Sequence, residues 1–178
     1  PKTISPEEAA ELRLAGPRGA QMAETIQAMD DQQRAVTSRR AQAGGHLAQF
    51  LGVTADVKEF EGDGGNLNQT SRVACVVNYY GPSDFTQSYG KSVDAAEVLP
   101  LFLGGDVQQA RPRHILASPL YWVTPHAAPT LCIHGTEDKY VAYEQAMWIV
   151  DRLKAANVEA ELLTLDGAGH GFKGKDAE

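Results

Sequence analysis

Cysteine and positive charge are both scarce in this chain of 178 residues. Its two cysteines, Cys75 and Cys132, lack the spacing of a disulfide framework or a metal site, and each lies in an apolar, strand-like run. We therefore expect two buried free thiols. With 23 acidic residues against 16 basic ones and a net charge of −7, the surface would repel polyanions, so we exclude nucleic acid and anionic membranes as partners.

Long apolar runs are absent as well. No run approaches the roughly 18 residues of a membrane span, and the stretch from Pro1 to Pro6 has no apolar segment of the kind found in a signal peptide. We expect a soluble chain with no signal peptide, and the compartment stays open. No histidines and acids show helical metal-ligand spacing, so we predict neither a metal nor a cofactor.

Residues 1–42 differ in pattern from the rest of the chain. They are rich in Ala, Gln, Met and Glu, with only weak helical periodicity, and Gly16-Pro17 separates two segments. We predict an atypical helical N-terminal segment over residues 1–42, followed by a sharper pattern over residues 43–178.

Three apolar runs in this second part predict β-strands. They cover residues 73–80, 130–134 and 160–165. The first is continuously apolar, which is typical of a strand covered on both faces in a parallel sheet. Because helical segments separate the strands, we predict right-handed crossovers and an α/β fold, a parallel sheet flanked by helices.

Two of the helical segments have apolar residues spaced along one face. After Gly44-Gly45, residues 46–51 predict a short helix with Leu47, Phe50 and Leu51 on one side. Residues 143–156 predict a longer helix, and Asn157 suits its C-terminal cap. The buried side of that longer helix is expected to carry four residues, Ala146, Ile149, Val150 and Leu153.

An acid and a histidine follow the second and third strands. Asp138 lies on the turn after residues 130–134, at the edge where α/β sheets bind ligands. Alternatively, its charge complements the dipole of a helix that begins near Tyr140. His170 lies in a glycine-rich turn that suits proton transfer, or it is a solvated loop histidine. Taken together, 32 residues apart with one helix and one strand between them, the two favour the acid and base of a hydrolytic triad.

Several blocks in this order resemble α/β-hydrolases of the carboxylesterase kind, related to acetyl-, feruloyl- and acetylxylan esterases. The resemblance implies that residues 43–178 form the C-terminal part of such a domain, with a truncated sheet, that Asp138 and His170 are the triad's acid and base, and that small-molecule esters are the substrates. The blocks are Ala43 to Ala48, Tyr80 to Phe85, Leu103 to Gly105, Ala117 to Pro119, Pro129 to Asp138, and Gly167 to Phe172.

The resemblance places glutamine where the nucleophile should be. The family's Gly-x-Ser-Ala-Gly-Gly-His-Leu-Ala motif matches residues 40–48, with Gln42 at the serine position and Arg40 at the first glycine. Glutamine has no nucleophilic oxygen and cannot form an acyl-enzyme. The amide of Ala43 would supply one oxyanion donor, but no His-Gly-Gly sequence supplies the second.

Other nucleophiles are less favoured. Ser38 lies four residues upstream of Gln42, and the cysteines are expected to be buried. Turn-forming or capping roles suffice for the remaining serines, and packing roles for two histidines. These serines are Ser71, Ser83 and Ser118, and the histidines are His46 and His134.

Three interpretations therefore stay open. The first is a carboxylic ester hydrolase of the Ser-Asp-His type, impaired at Gln42. The second is a catalytically silent, hydrolase-like module that binds a partner or assembles with itself as a homo-oligomer, because a truncated sheet exposes an edge and an apolar face. In the third, residues 1–42 are not native family sequence.

Overall fold

A computed structural model describes residues 41–63, 68–93 and 95–172. From Ala41 onward the chain belongs to one compact unit. The predicted N-terminal segment lies, apart from its last two residues, outside the described residues. Its helical character and its boundary at residue 42 stay predictions.

The described elements alternate between helices and strands, and the three strands form a parallel sheet in the order β1-β2-β3. The predicted α/β fold, a parallel sheet flanked by helices, is confirmed. In chain order the elements are α1 (residues 41–54), a 3₁₀ turn (Lys58–Phe60), β1 (Val76–Tyr79), a second 3₁₀ turn (Phe85–Gln87), α2 (Ala95–Leu103), α3 (Arg111–Leu116), a third 3₁₀ turn (Pro119–Trp122), β2 (Thr130–Gly135), α4 (Glu144–Ala155) and β3 (Ala160–Leu165).

The main core lies between helix α4 and the sheet. All four residues predicted for the buried side of the helix are buried, and they contact Cys132 of β2 and Ala160 of β3. Asn157 follows the C-cap residue Ala156 and has φ 60°, the left-handed conformation that commonly ends a helix and that asparagine tolerates, so it takes part in the helix end as predicted. Burial raises the pKa of the Cys132 thiol to about 11, which makes it inert as a nucleophile.

The prediction for the first strand is wrong in two respects. Strand β1 begins at Val76, and its burial alternates: Val77 and Tyr79 are each 45% exposed. An apolar run cannot distinguish a strand covered on both faces from one whose outward residues are also apolar. Cys75 precedes the strand and is exposed, so of the two thiols expected to be buried only Cys132 is.

Helix α1 turns a different face to the sheet from the one predicted. Leu47 and Leu51 are more than half exposed, whereas Gly45, His46 and Gln49 are buried. The cause is close packing at Gly45, where a methyl group would overlap Asn78 Oδ1 and lie 2.8 Å from Tyr79 O. Glycine therefore brings the helix directly onto the end of β1, and Leu47 and Leu51 point away.

Adjacent glycines of α1 provide a matched test of this contact. We expect Gly45→Ala to lower the free energy of unfolding by about 1–3 kcal/mol, because the methyl group displaces backbone. Gly44→Ala meets no atom within 4 Å and should raise it by up to about 1 kcal/mol, since alanine loses less backbone entropy. Urea unfolding of both variants measures the difference, and equal effects would contradict the close packing.

Candidate active site

Asp138 closes the turn between β2 and α4. Its Oδ1 accepts hydrogen bonds from the backbone N–H groups of Tyr140, at 2.8 Å, and Val141, at 2.9 Å. Helix α4 begins only at Glu144, so no helix begins near Tyr140 for Asp138 to complement, and that alternative is wrong. The carboxylate instead orders a tight turn, and this leaves Oδ2 for other partners.

Hydrogen bonds join the loop that carries His170 to this turn. Glu137 N–H donates to Ala168 O at 3.0 Å, and Gly167 N–H donates to the Thr136 hydroxyl at 2.9 Å. At Gly135 a side chain would overlap the carbonyl of Ala168, so only glycine allows the two segments to approach this closely. The two turns therefore hold a fixed separation.

At this separation the predicted acid and base meet. His170 Nδ1 lies 2.7 Å from Asp138 Oδ2, and both side chains are more than nine-tenths buried. The other ring nitrogen, Nε2, is buried and has no hydrogen-bond partner among the described residues. An imidazole held through Nδ1 with Nε2 available is the arrangement that a general base requires.

Asp138 is held in its ionised form. Burial opposes ionisation, but hydrogen bonds from His134, His170 and the Val141 N–H outweigh it, so the pKa of Asp138 lies well below its usual range. A carboxylate that stays charged accepts from His170 and keeps its ring in one orientation.

Aromatic rings surround His170, and sequence reasoning gave them no role. Tyr80 and Tyr140 approach the imidazole with ring centroids at 4.7 and 5.1 Å, and Tyr80 also packs against Phe172. Tyr80 is buried with φ 42°, a conformation that is strained for a bulky residue and is typical of functional sites. Burial, and then the charge of Asp138, raise the pKa of Tyr80. Its position directly after a strand and before Gly81-Pro82 was the available signal.

Gln42 lies in helix α1, half-buried, beside the acid's turn. It lines a small cavity of about 40 Å³ together with Tyr140 and Val141, the residues whose amides bind Asp138. The other lining residues are mostly apolar and include Phe85 and Leu99. The next residue, Ala43, is exposed in the same helix. Position 42 thus shares a cavity with the turn that Asp138 orders, while Asp138 and His170 themselves do not line that cavity.

Comparison with known proteins identifies the family of the chain. The family model described as BD-FAE matches residues 27–153, well over half of the chain. The chain belongs to the BD-FAE family. Esterase LipC of Mycobacterium tuberculosis is 37% identical over 139 residues, which cover 73% of this chain and 33% of LipC.

Solved esterases share the fold of this BD-FAE chain. A truncated carbohydrate esterase from gut microbiota superimposes with a TM-score of 0.64 at 28% identity, over 72% of this chain and 50% of its own. A thermophilic esterase of Thermogutta terrifontis gives 0.55 at 26% identity, over 74% and 44%. The predicted resemblance to carboxylesterase-type α/β-hydrolases is confirmed, and the chain spans about a third of the length of LipC.

Among the described residues of this BD-FAE chain, the other candidate hydroxyls are engaged elsewhere. Ser83 and Ser118 are completely buried and donate to the backbone carbonyls of Gln145 and His114. Ser71 is half-buried and donates to the carboxylate of Glu61. Ser38 lies outside the described residues, so the expectation against it stays a prediction.

His46 is a packing residue. Its Nε2 lies 2.8 Å from Ala117 O, and its ring packs on Phe85 with centroids at 4.7 Å. Burial lowers the pKa of His46, and the hydrogen bond to the Ala117 carbonyl offsets this only in part.

Within the described part of the chain, no three His, Cys, Asp or Glu side chains converge to hold a metal ion, and no helix is long and apolar enough to cross a bilayer.

Proposed function

We propose that this BD-FAE chain carries the acid–base portion of a carboxylic ester hydrolase acting on small-molecule esters, with activity impaired at the nucleophile position. Asp138 is the acid, His170 the base and Gln42 the residue at the nucleophile position. The backbone N–H of Ala43 is the proposed oxyanion donor.

The 2.7 Å contact between His170 Nδ1 and Asp138 Oδ2 is the observation that supports this proposal most strongly. It leaves Nε2 to take a proton from a hydroxyl and to return it to a leaving alcohol, as in serine acyl transfer. The relatives support the substrate class, since LipC is an esterase and the Thermogutta terrifontis enzyme was solved with bound propionate. Short acyl groups are therefore the proposed substrates.

The side chain at position 42 sets the expected rate. An amide cannot attack an ester carbonyl, so no acyl-enzyme forms at Gln42. Asp138 and His170 can still polarise a water molecule near Nε2, but without a covalent intermediate this contributes only about 10²–10⁴-fold over uncatalysed hydrolysis. The chain is therefore proposed to be a weak esterase.

A short-chain nitrophenyl ester tests the proposal. We expect slow hydrolysis by the unchanged chain and no loss of rate in Gln42→Ala, because the amide does no chemistry. His170→Asn should remove the residual rate, since it removes the only base of the pair. Robust turnover that survives Gln42→Ala would place the nucleophile elsewhere.

A second candidate, self-assembly, is favoured by one face of the sheet. The register places Tyr79, Ile133 and Leu163 side by side across the three strands, and Tyr79 and Leu163 are nearly half exposed. Val77 adds to this surface, which we call the outer sheet face. Apolar side chains cross all three strands of this face, with Glu161 of β3 in the neighbouring row beside Leu131, and its proposed occupant is the same face of a second copy.

We expect a homodimer at micromolar concentration by light scattering. Leu163→Lys should shift it to monomer, because it places a charge in the middle of the outer sheet face. Val93→Lys, at an exposed apolar position outside the strands, is the control and should leave the dimer intact. A stable monomer in the unchanged chain would contradict self-assembly.

A further inference from the structure

His134 is a completely buried imidazole at the end of β2, and it faces the same carboxylate as His170. Its Nε2 lies 2.9 Å from Val141 O and 3.4 Å from Asp138 Oδ2. Since His170 Nδ1 is 2.7 Å from the same oxygen, Oδ2 lies between two imidazoles. The proposed acid–base mechanism uses only one of them.

The surroundings of His134 assign its proton. Both neighbours of Nε2, a carbonyl oxygen and a carboxylate oxygen, are acceptors, so this nitrogen has to donate. Nδ1 is buried and has no partner among the described residues. A proton on Nδ1 would therefore be a buried donor without an acceptor, which is costly. The Nε2–H is thus directed at the turn that carries Asp138.

These contacts leave the carboxylate one orientation. Oδ1 is fixed by the N–H groups of Tyr140 and Val141, and Oδ2 has the His134 Nε2–H on one side. Because His134 also binds Val141 O, it ties the end of β2 to the far end of the same turn. The edge of the Tyr143 ring packs against the imidazole, with centroids at 5.9 Å, and restricts its rotation.

We propose that His134 is a positioning residue that fixes Asp138 Oδ2 toward His170. It acts through Asp138 and needs no contact with a substrate. The inference rests on the proposed function, since it assigns a role relative to the Asp138–His170 pair.

The proton between His170 Nδ1 and Asp138 provides a direct measurement on the unchanged chain. Such a proton gives a low-field NMR resonance whose exchange with water reports how well the pair is held. In His134→Leu we expect this exchange to be roughly tenfold faster, because this factor corresponds to the net free energy that one hydrogen bond contributes. In His134→Gln, whose amide nitrogen reaches the place of Nε2, the exchange should stay close to that of the unchanged chain.

Two further variants separate positioning from folding. His114 is equally buried and binds Ala110 O and the Tyr89 hydroxyl, so His114→Leu should destabilise the fold without changing the exchange of the shared proton. His134→Asn keeps a polar side chain, but its donor is too short to reach Asp138, so the exchange should be as fast as in His134→Leu. This variant replaces His134→Leu in the test if the leucine variant does not fold.

The outcomes distinguish the inference from the function on which it rests. Fast exchange in both the Leu and the Asn variants of His134, with rescue by Gln, supports positioning. A resonance that is present but unchanged in the His134 variants, or changed equally by His114→Leu, overturns the inference alone. A low-field resonance that is missing from the unchanged chain overturns the acid–base pair and the inference together.

Discussion

Gln42→Ser should raise the hydrolysis of a short-chain nitrophenyl ester by roughly a hundredfold. A complete triad raises the turnover rate by about 10⁶, and the loss of one oxyanion donor lowers it by about 10²–10³. A further part is lost because position 42 lies in a helix and not on a strained strand-to-helix turn. The factor that remains after these two losses is the rate increase expected from a hydroxyl beside the Asp138–His170 pair.

Two comparisons make this gain specific to the pair. Adding His170→Asn to Gln42→Ser should return the rate to that of the unchanged chain, because the new hydroxyl then has no base. Gln87→Ser, at an exposed position of the same residue type, adds a hydroxyl away from the pair and should change nothing. A gain that persists without His170 would show that Gln42 is not at the nucleophile position.

Gln145→Met should lower the free energy of unfolding by about 3–5 kcal/mol, because several buried backbone groups lose their partners at about 1–3 kcal/mol each. Gln145 is completely buried in α4, and its Oε1 accepts from the N–H groups of Ser83 and Asp84 at 2.9 and 2.7 Å. Its Nε2 donates to Asp84 O and contacts the Ser88 hydroxyl. Methionine fills the same volume without replacing any of these bonds.

Urea unfolding measures this loss, and Gln87→Met is its matched control. Gln87 lies on the exposed side of the same loop, so its replacement should change stability by no more than about 0.5 kcal/mol. A loss below about 1 kcal/mol in Gln145→Met would mean that the loop after β1 finds other partners. The test thus measures how firmly that loop is held to α4.

Elements with a strong local pattern could be predicted from the sequence. Strand β3 has the predicted bounds, and α4 differs from its prediction by one residue at each end. In both, the apolar spacing and the flanking residues point to the same answer. Strand β1 is shorter than predicted because Val73 to Cys75 are apolar but unpaired, and local sequence carries no record of pairing.

The site could be predicted only in part. Chain order and family resemblance indicated Asp138 and His170, and the structure brings the two side chains together. They did not indicate the second histidine on the same carboxylate, since His134 was expected to be structural. Nor did they indicate the contact of Gln145 with a loop 62 residues away, because such contacts depend on tertiary packing that no local pattern records.

The close approach of Gly135 to Ala168 has a consequence for how sequences of this kind are interpreted. The turn after β2 and the loop after β3 meet backbone to backbone, so the bonds that bring Asp138 and His170 together also continue the contact between the two strands beyond their last paired residues. A chain that keeps these turns for folding keeps the pair in place, whatever has happened to its nucleophile. Selection for a stable fold is therefore enough to preserve an intact acid–histidine signature through generations in which no ester is cleaved.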